Sequence, residues 1–358
     1  MTDEPKTPDI VPVIMAGGFG TRFWPLSTPR RPKQFLHLFQ EDSLFSLSAQ
    51  RALALAPPER CLVMTHRDFR KRAIEEARGI PPGNVIGEPA RRDTAPAVAL
   101  AALIARKRFG NPVMAVLTAD HLIEPAEALL RALRSAASKA GETGALYTFG
   151  VPPTRPATAY GYLETGERLL DDEGIEHVRL LRFVEKPDAE RARAYLDRGT
   201  FLWNSGMFVW TADAILDEIA RHLPEHLRVL ESAANRLDEP DAGETLEKAF
   251  ENLRPISIDY GVMEKARDVR AVKAPFSWTD VGGWPALEPF LQKDEAGNAR
   301  RGTLDTLDAR DNLVFCEDPN ERVALIGVEN LVVVRAGTTT LVVPKDRAES
   351  IKALVQDG

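Results

Sequence analysis

Short, continuously apolar runs alternate with longer amphipathic stretches over the first 150 residues of the chain. Val11–Met15, Arg60–Met64, Val113–Leu117 and Ala145–Val151 carry the apolar runs and predict buried strands. Leu44–Ala56, Phe69–Ala77, Ala95–Phe109 and Ala126–Lys139 lie between or beside them and predict helices. Buried strands alternating with helices build a mainly parallel sheet covered on both faces. Over residues 151–285 the pattern turns richer in β pieces, such as Leu180–Val184 and Gly206–Trp210, with helices over 188–198 and 213–222. This reads as one large α/β domain with a β-rich insertion. The charged, glycine-bearing stretch Gln292–Gly302 reads as a linker. Beyond it, Leu313–Cys316, Val323–Gly327, Leu331–Arg335 and Thr340–Val343 predict strands, and Asp346 offers an N-cap for a last helix to about Val355. The expected division is a flexible tail over residues 1–9, an α/β domain over 10–290 and a small β-rich C-terminal domain over 300–358 that ends in a helix.

Composition narrows the classes. With 44% hydrophobic and 28% charged residues in 358, the chain has an ordinary globular balance and enough apolar surface for a sizeable core. A net charge of −7 argues against a nucleic-acid partner, which calls for a basic surface. Two cysteines, Cys61 and Cys316, are too few for a disulfide framework and match a reducing, cytoplasmic compartment. The longest alanine-rich apolar run, Ala95–Ala105, falls well short of the ~20 residues of a membrane span, so no membrane partner is expected.

Candidate chemistry begins where the first predicted strand runs into Ala16-Gly17-Gly18-Phe19-Gly20-Thr21-Arg22. Glycine-rich turns after a first strand let backbone N–H groups approach a phosphate closely. Two known phosphate loops fail here. A dinucleotide fingerprint needs a third small residue where Phe23 stands, and a Walker loop needs a Gly-Lys-Ser/Thr ending that the chain lacks. The loop leads instead into Arg22-Phe23-Trp24-Pro25-Leu26-Ser27 and then Pro32-Lys33, a proline-stiffened segment that lets Arg22 and Lys33 converge on one polyphosphate. Taken alone, the loop is also readable as a tight turn with two solvated cations, and Asp120 and Asp280 as turn or cap carboxylates.

The string Gly18-x-Gly20-Thr21-Arg22-x-x-Pro25-Leu26-Ser27, followed by Pro32-Lys33, resembles the signature of the sugar-1-phosphate nucleotidyltransferases. Further segments resemble, within that superfamily, the guanylyltransferases that act on mannose 1-phosphate. They are Glu88-Pro89-Ala90-Arg91-Arg92-Asp93-Thr94-Ala95-Pro96-Ala97, Thr118-Ala119-Asp120-His121, Tyr160-Gly161-Tyr162, Glu185-Lys186-Pro187, Trp203-Asn204-Ser205-Gly206-Met207-Phe208, Ser257-Ile258-Asp259-Tyr260 and Trp278-Thr279-Asp280-Val281-Gly282. They stand in the family's order over residues 11 to about 290. The resemblance implies a Rossmann-like nucleotidyltransferase domain and transfer of GMP from GTP to mannose 1-phosphate, with pyrophosphate leaving. No isomerase extension of the kind seen in long bifunctional relatives follows, so a second activity is not expected.

The same resemblance implies residue roles. Arg22 and Lys33 are the catalytic cations, and Gly17, Gly18, Gly20, Thr21, Glu88, Asp93 and Thr94 hold the nucleotide. Gly161, Glu185, Lys186, Asn204 and Asp259 hold the sugar phosphate, and Asp120 and Asp280 bind Mg2+. His121 reads as a packing neighbour. Asn204 reads as part of a glycine-bearing turn and Thr94 as the cap of the helix containing Pro96. A sugar phosphate is already largely dianionic at neutral pH, its second pKa being near ~6, so no general base is called for. The difficulty is bringing two anions together, which calls for positive charge and positioning. An ionised Glu88, an acceptor-only fork, suits the adjacent N1–H and 2-amino donors of guanine. Two alternatives remain open at this point: transfer to another hexose 1-phosphate, or a catalytically silent nucleotide-sugar sensor of the same fold. The β-rich C-terminal domain suggests self-association into a homodimer.

Overall fold

The computed structural model describes residues 9–18, 20–39, 42–237, 239 and 241–356; all of the expected tail except Asp9 lies outside the described residues. They form two compact units that interleave along the sequence. The first unit holds the chain up to Gly17, Ser48–Ala119 and Ile123–Trp278, and the second holds Gly18–Leu47, Asp120–Leu122 and the chain from Thr279 onward.

The strands are β1 (Ile10–Ala16), β2 (Leu62–His66), β3 (Val85–Glu88), β4 (Val113–Thr118), β5 (Leu122–Glu124), β6 (Leu146–Val151), β7 (Tyr162–Asp172), β8 (Ile175–Val184), β9 (Phe201–Thr211), β10 (Val269–Lys273) and β11 (Ser277–Thr279). The helices are α1 (Leu44–Leu53), α2 (Arg70–Glu76), α3 (Thr94–Phe109), α4 (Ala126–Thr143), α5 (Ala189–Arg198), α6 (Ala212–His222), α7 (Pro224–Asn235), α8 (Ala242–Glu251) and, at the C-terminal end, α9 (Ile351–Gln356).

In the first unit, nine strands form one mixed sheet in the order β3-β2-β1-β4-β9-β6-β10-β8-β7. The β3-β2-β1-β4 half is parallel, and β9 runs antiparallel to both β4 and β6. β1 is apolar throughout because both of its faces are covered. Its Pro12 is tolerated because pairing to β2 begins only at Val13, leaving no ladder donor to lose on that side. α3 buries every residue from Ala95 to Ala105, and its alanines let it sit close against α6 and α7. Its lack of a polar face is therefore a sign of depth in the core rather than of a membrane. Among the described residues no helix is long and apolar enough to cross a membrane.

The second unit is built on β12 (Gln292–Lys293), β13 (Ala299–Arg301), β14 (Thr303–Leu307), β15 (Leu313–Cys316), β16 (Arg322–Ile326), β17 (Leu331–Ala336) and β18 (Thr339–Pro344). Five of these form the sheet β12-β13-β15-β17-β18, and β14 pairs β16 in parallel. Their core takes in residues from far upstream. Phe23 meets Trp284 edge-on at 5.2 Å between ring centroids, and Trp284 meets Phe315 at 5.1 Å. The Trp284 indole N–H donates to the Trp24 carbonyl at 3.0 Å.

Three local expectations are corrected. Gln292–Gly302 is not a linker but holds β12 and β13, because its polar groups satisfy one another inside the fold. The fully buried Asn298 amide donates to Asp294 Oδ2 at 2.9 Å and to the Ala309 carbonyl at 3.0 Å. Asp346 lies inside a 3-10 turn, Lys345–Ser350, whose cap position is Pro344. α7 and α8, not predicted from the sequence, are amphipathic helices that bury Leu230, Ala233, Leu246 and Phe250.

Candidate active site

Two clusters of sequence-predicted residues form, one in each unit. In the second unit the glycine-rich loop folds over Lys33. Gly20 has a φ of 61°, and a Cβ there would lie 2.0 Å from the Lys33 Cβ, so only glycine fits. Gly17 and Gly18 have open space where a Cβ would point. Ser27 Oγ donates to the Gly20 carbonyl at 2.7 Å and closes the loop. Thr21 opens the 3-10 turn that carries Arg22.

Lys33 is buried, and its ammonium joins two distant segments. Nζ is 2.9 Å from Asp120 Oδ2 and donates to the Asp280 carbonyl at 2.6 Å. Burial opposes the charge on Asp120, yet Lys33 and His121 beside it hold its carboxyl below the usual range. His121 Nε2 sits 3.7 Å from Asp120 Oδ1, as a neighbour of the carboxylate. Asp280 is followed by Val281, a β-branched residue at φ 44°, and by Gly282, where a Cβ would stand 3.0 Å from Asp280 Oδ2. Arg22 Nε donates to Glu349 Oε2 at 2.7 Å, an ion pair open to solvent.

In the first unit Gly161, Glu185, Lys186, Asn204 and Asp259 converge. A Cβ on Gly161 would lie 2.4 Å from Glu185 Oε2 and 3.2 Å from the Asn204 Cβ. Asn204 Nδ2 donates to Asp259 Oδ1 at 3.0 Å, while its Oδ1 takes the Thr148 hydroxyl at 2.8 Å and the Gly206 N–H at 3.2 Å. Burial, with the Glu185 charge adding to it, pushes the Asp259 carboxyl up to about 7. Lys186 Nζ lies 2.7 Å from Glu185 Oε1; burial works against its charge, and Glu185 holds the ammonium above its ordinary range.

Glu88 is the last residue of β3 and is 9% exposed. Among the described residues its carboxyl has no hydrogen-bond or ion-pair partner, and burial pushes it up to about 8. Asp93 caps α3 at φ 66°, its Oδ1 accepting the Thr94 N–H at 2.8 Å. Thr94 does not cap the helix, because its hydroxyl accepts the Ile258 N–H at 2.8 Å and ties the start of α3 to the Asp259 turn.

The model of the family described as nucleotidyl transferase matches residues 11–297. The chain belongs to this family. A MannoseP isomerase/GMP-like beta-helix domain matches residues 305–357 of this nucleotidyl transferase. It is 39% identical to the mannose-1-phosphate guanylyltransferase of Klebsiella pneumoniae over 97% of this chain and 73% of that one. It is 38% identical to the xanthan biosynthesis protein XanB of Xanthomonas campestris pv. campestris (strain B100), again over 97% and 73%. A crystal structure described as mannose-1-phosphate geranyltransferase from Thermus thermophilus superposes with a TM-score of 0.86 and 38% identity, covering 98% of this chain and 99% of that one.

Sequence reasoning about this nucleotidyl transferase missed Thr148, Glu264 and Tyr260 as partners of the candidate residues. Thr148 is fully buried on β6 and orients the Asn204 amide, and Glu264 Oε1 accepts the Glu185 N–H at 2.8 Å. The Tyr260 hydroxyl donates to the Glu185 carbonyl at 3.3 Å. Such contacts leave no local signal, apart from the position of Tyr260 in the Ser257–Tyr260 motif. Asn204 is not in a turn but within β9, where flanking pairings fix its backbone. For a divalent cation, the donor set fits. Asp120 and Asp280 would supply hard oxygen ligands, and the Lys33 ammonium 2.9 Å from Asp120 Oδ2 shows that this carboxylate already holds a cation. Among the described residues no group of three or more His, Cys, Asp or Glu surrounds that position. Two carboxylates suit Mg2+, which keeps waters and substrate phosphates among its ligands.

Proposed function

We propose that the chain transfers GMP from GTP to mannose 1-phosphate, giving GDP-mannose and pyrophosphate. The observation that carries this reading is identity of 38–39% along 97% of the chain to relatives that include a mannose-1-phosphate guanylyltransferase. The convergence of Lys33, Asp120 and Asp280 supports it from the chemical side. A sugar-phosphate oxygen forms a new bond to the α-phosphorus of GTP while the bond to the β-phosphate oxygen breaks, and pyrophosphate carries off the electron pair. The nucleophile needs no base, because a phosphate monoester is already largely dianionic at neutral pH.

The residues then have separate tasks. Arg22, with Gly17, Gly18, Gly20 and Thr21 of the loop, holds the triphosphate; Lys33 offsets charge that builds on the leaving pyrophosphate. Asp120 and Asp280 would hold Mg2+, which supplies positive charge to the phosphoryl oxygens. Gly161 lets the backbone approach the hexose, and Glu185, Asn204 and Asp259 accept from and donate to its hydroxyls. Lys186 attracts the hexose phosphate. Glu88 reads guanine, while Asp93 and Thr94 set the backbone that follows it. The test is pyrophosphate release with GTP and with ATP against a panel of hexose 1-phosphates. Turnover confined to GTP and mannose 1-phosphate is expected, and equal rates with ATP or with another hexose phosphate would refute the substrate pair.

A further inference from the structure

The residues assigned to the hexose phosphate, Gly161, Glu185, Lys186, Asn204 and Asp259, offer hydrogen-bonding groups and a bare backbone but no apolar surface. Tyr260 follows Asp259 in a π-helical turn, Asp259–Met263, and is 42% exposed. Tyr147, Tyr162 and Tyr195 are buried and Tyr160 is half-buried, so Tyr260 is the one tyrosine of five whose ring stands in solvent. That ring is held at both ends. The Tyr260 N–H donates to Ser257 Oγ at 3.2 Å and its hydroxyl to the Glu185 carbonyl at 3.3 Å, so the side chain spans from the Asp259 turn to the residue that follows β8. Glu264, just past the same turn, takes the Glu185 N–H at 2.8 Å. One turn therefore grips both main-chain polar groups of Glu185 and fixes the ring beside it. The charges of Glu185, Lys186, Glu264 and Asp259 all act on the Tyr260 hydroxyl, which places it among the polar groups of the cluster.

A hexopyranose carries hydroxyls around its rim and C–H groups on its faces. Sites for small ligands combine a few placed polar groups with apolar and aromatic surface, and a tyrosine presents an apolar ring behind a polar tip. With the tip held by the Glu185 carbonyl, the ring face is what remains to meet a ligand. We propose that Tyr260 is a sugar-contacting residue: a C–H face of the hexose lies against its ring, while Glu185, Asn204 and Asp259 take the hydroxyls. The assignment rests on the reading of this cluster as the hexose-phosphate site. The ring favours a hexose phosphate over bare phosphate, a discrimination that the Lys186 ammonium, a point charge, does not make.

Tyr260→Phe keeps the ring and Tyr260→Ser removes it. At saturating GTP, Tyr260→Ser should raise the KM for the hexose phosphate about tenfold and leave the KM for GTP within about twofold. Tyr260→Phe should stay within about twofold of the unaltered chain for both substrates. An equal rise in the two variants would overturn the ring contact in favour of the hydroxyl's hold on Glu185. An unchanged KM in Tyr260→Ser would overturn it outright. A second measurement needs no turnover and keeps the test available if Tyr260→Ser does not fold. In proton NMR of the product GDP-mannose bound to the intact chain, the ring current should move hexose C–H resonances upfield, and in Tyr260→Ser that shift should be lost. No upfield shift in the unaltered chain, or the same shift in Tyr260→Ser, would overturn the proposal. A wrong substrate pair shows separately, as turnover by the unaltered chain of another hexose 1-phosphate. The comparisons are then made with that sugar and its nucleotide-linked product, and a wrong ring assignment still shows in them.

Discussion

The base reading proposed for Glu88 would have a measurable proton signature. Burial raises this carboxyl from 4.5 to about 8, which corresponds to about 5 kcal/mol for ionising it in the folded chain. Near pH 7 only about one molecule in ten then carries the charge that guanine requires. Guanine's two N–H donors can restore the lost solvation, so GTP binding at pH 7 should release close to one proton. Titration calorimetry in buffers of different ionisation enthalpy reads that number directly, and Glu88→Gln should abolish it. The same linkage makes GTP affinity rise about tenfold from pH 7 to pH 9, relative to Glu88→Gln. A protonated carboxyl offers one donor and one acceptor, the pattern that adenine presents in reverse, so selectivity for GTP over ATP should sharpen with pH. Stability moves the other way. The folded chain keeps a proton that the unfolded chain has released, so stability falls as pH rises from 4.5 towards 8 and levels off above it. Proton release equal in Glu88→Gln and the unaltered chain would refute the role of Glu88.

Other consequences are sharp enough to test by substitution. Lys33→Met removes the ammonium between Asp120 and the Asp280 carbonyl; turnover should fall about a hundredfold or more, and recovery by added divalent metal alone would refute a direct role. Gly161→Ala places a methyl 2.4 Å from Glu185 Oε2, so the KM for hexose phosphate should rise about tenfold with little change in the KM for GTP. Because Asp259 is raised to about 7, the pH profile of kcat/KM for the hexose phosphate should bend near neutrality, and the bend should vanish in Asp259→Asn. Glu349→Gln frees Arg22 from an exposed pair; the KM for GTP should fall by no more than about threefold, since such pairs are weak, and a rise would refute competition between Glu349 and the triphosphate.

The parallel half of the large sheet was legible because β1, β2 and β4 are buried on both faces and therefore read as unbroken apolar runs. β3, by contrast, is four residues of mixed burial and gives no comparable run. The interleaving of the units was not legible, since Phe23 and Trp284 meet across hundreds of residues with no periodicity to announce it. Candidate polar residues were found through motifs, but their states were not. Glu88 looks like a loop carboxylate before Pro89; the end of a buried strand makes it a largely neutral acid at pH 7. Thr94 has the composition of a helix cap, yet Asp93 takes that place because the Thr94 hydroxyl has a partner in the Asp259 turn. Propensity identified the residue types and tertiary partners assigned their work.

Backbone strain sorts the candidate residues in a way that side-chain chemistry alone does not. Asp93, Lys186 and Val281 are non-glycine residues with positive φ, and each stands inside or directly beside a candidate polar group. Such conformations cost of order 1 kcal/mol or more and persist only where the surroundings over-determine them. For Val281 the surroundings are visible: it is fully buried in the core that contains Phe23 and Trp284, and that packing fixes the turn at Asp280. Lys186 turns at the end of β8 so that its ammonium folds back onto Glu185. Asp93 turns so that its own carboxylate caps the helix it precedes. At Asp93 and Lys186 the turn sets the direction of a charged side chain. Glycine at Asp93 or Lys186 would relieve the strain and remove the charge that the turn directs, whereas the positive φ of Arg78, Glu173, Asp308, Asp311 and Asn330 stands away from the candidate residues.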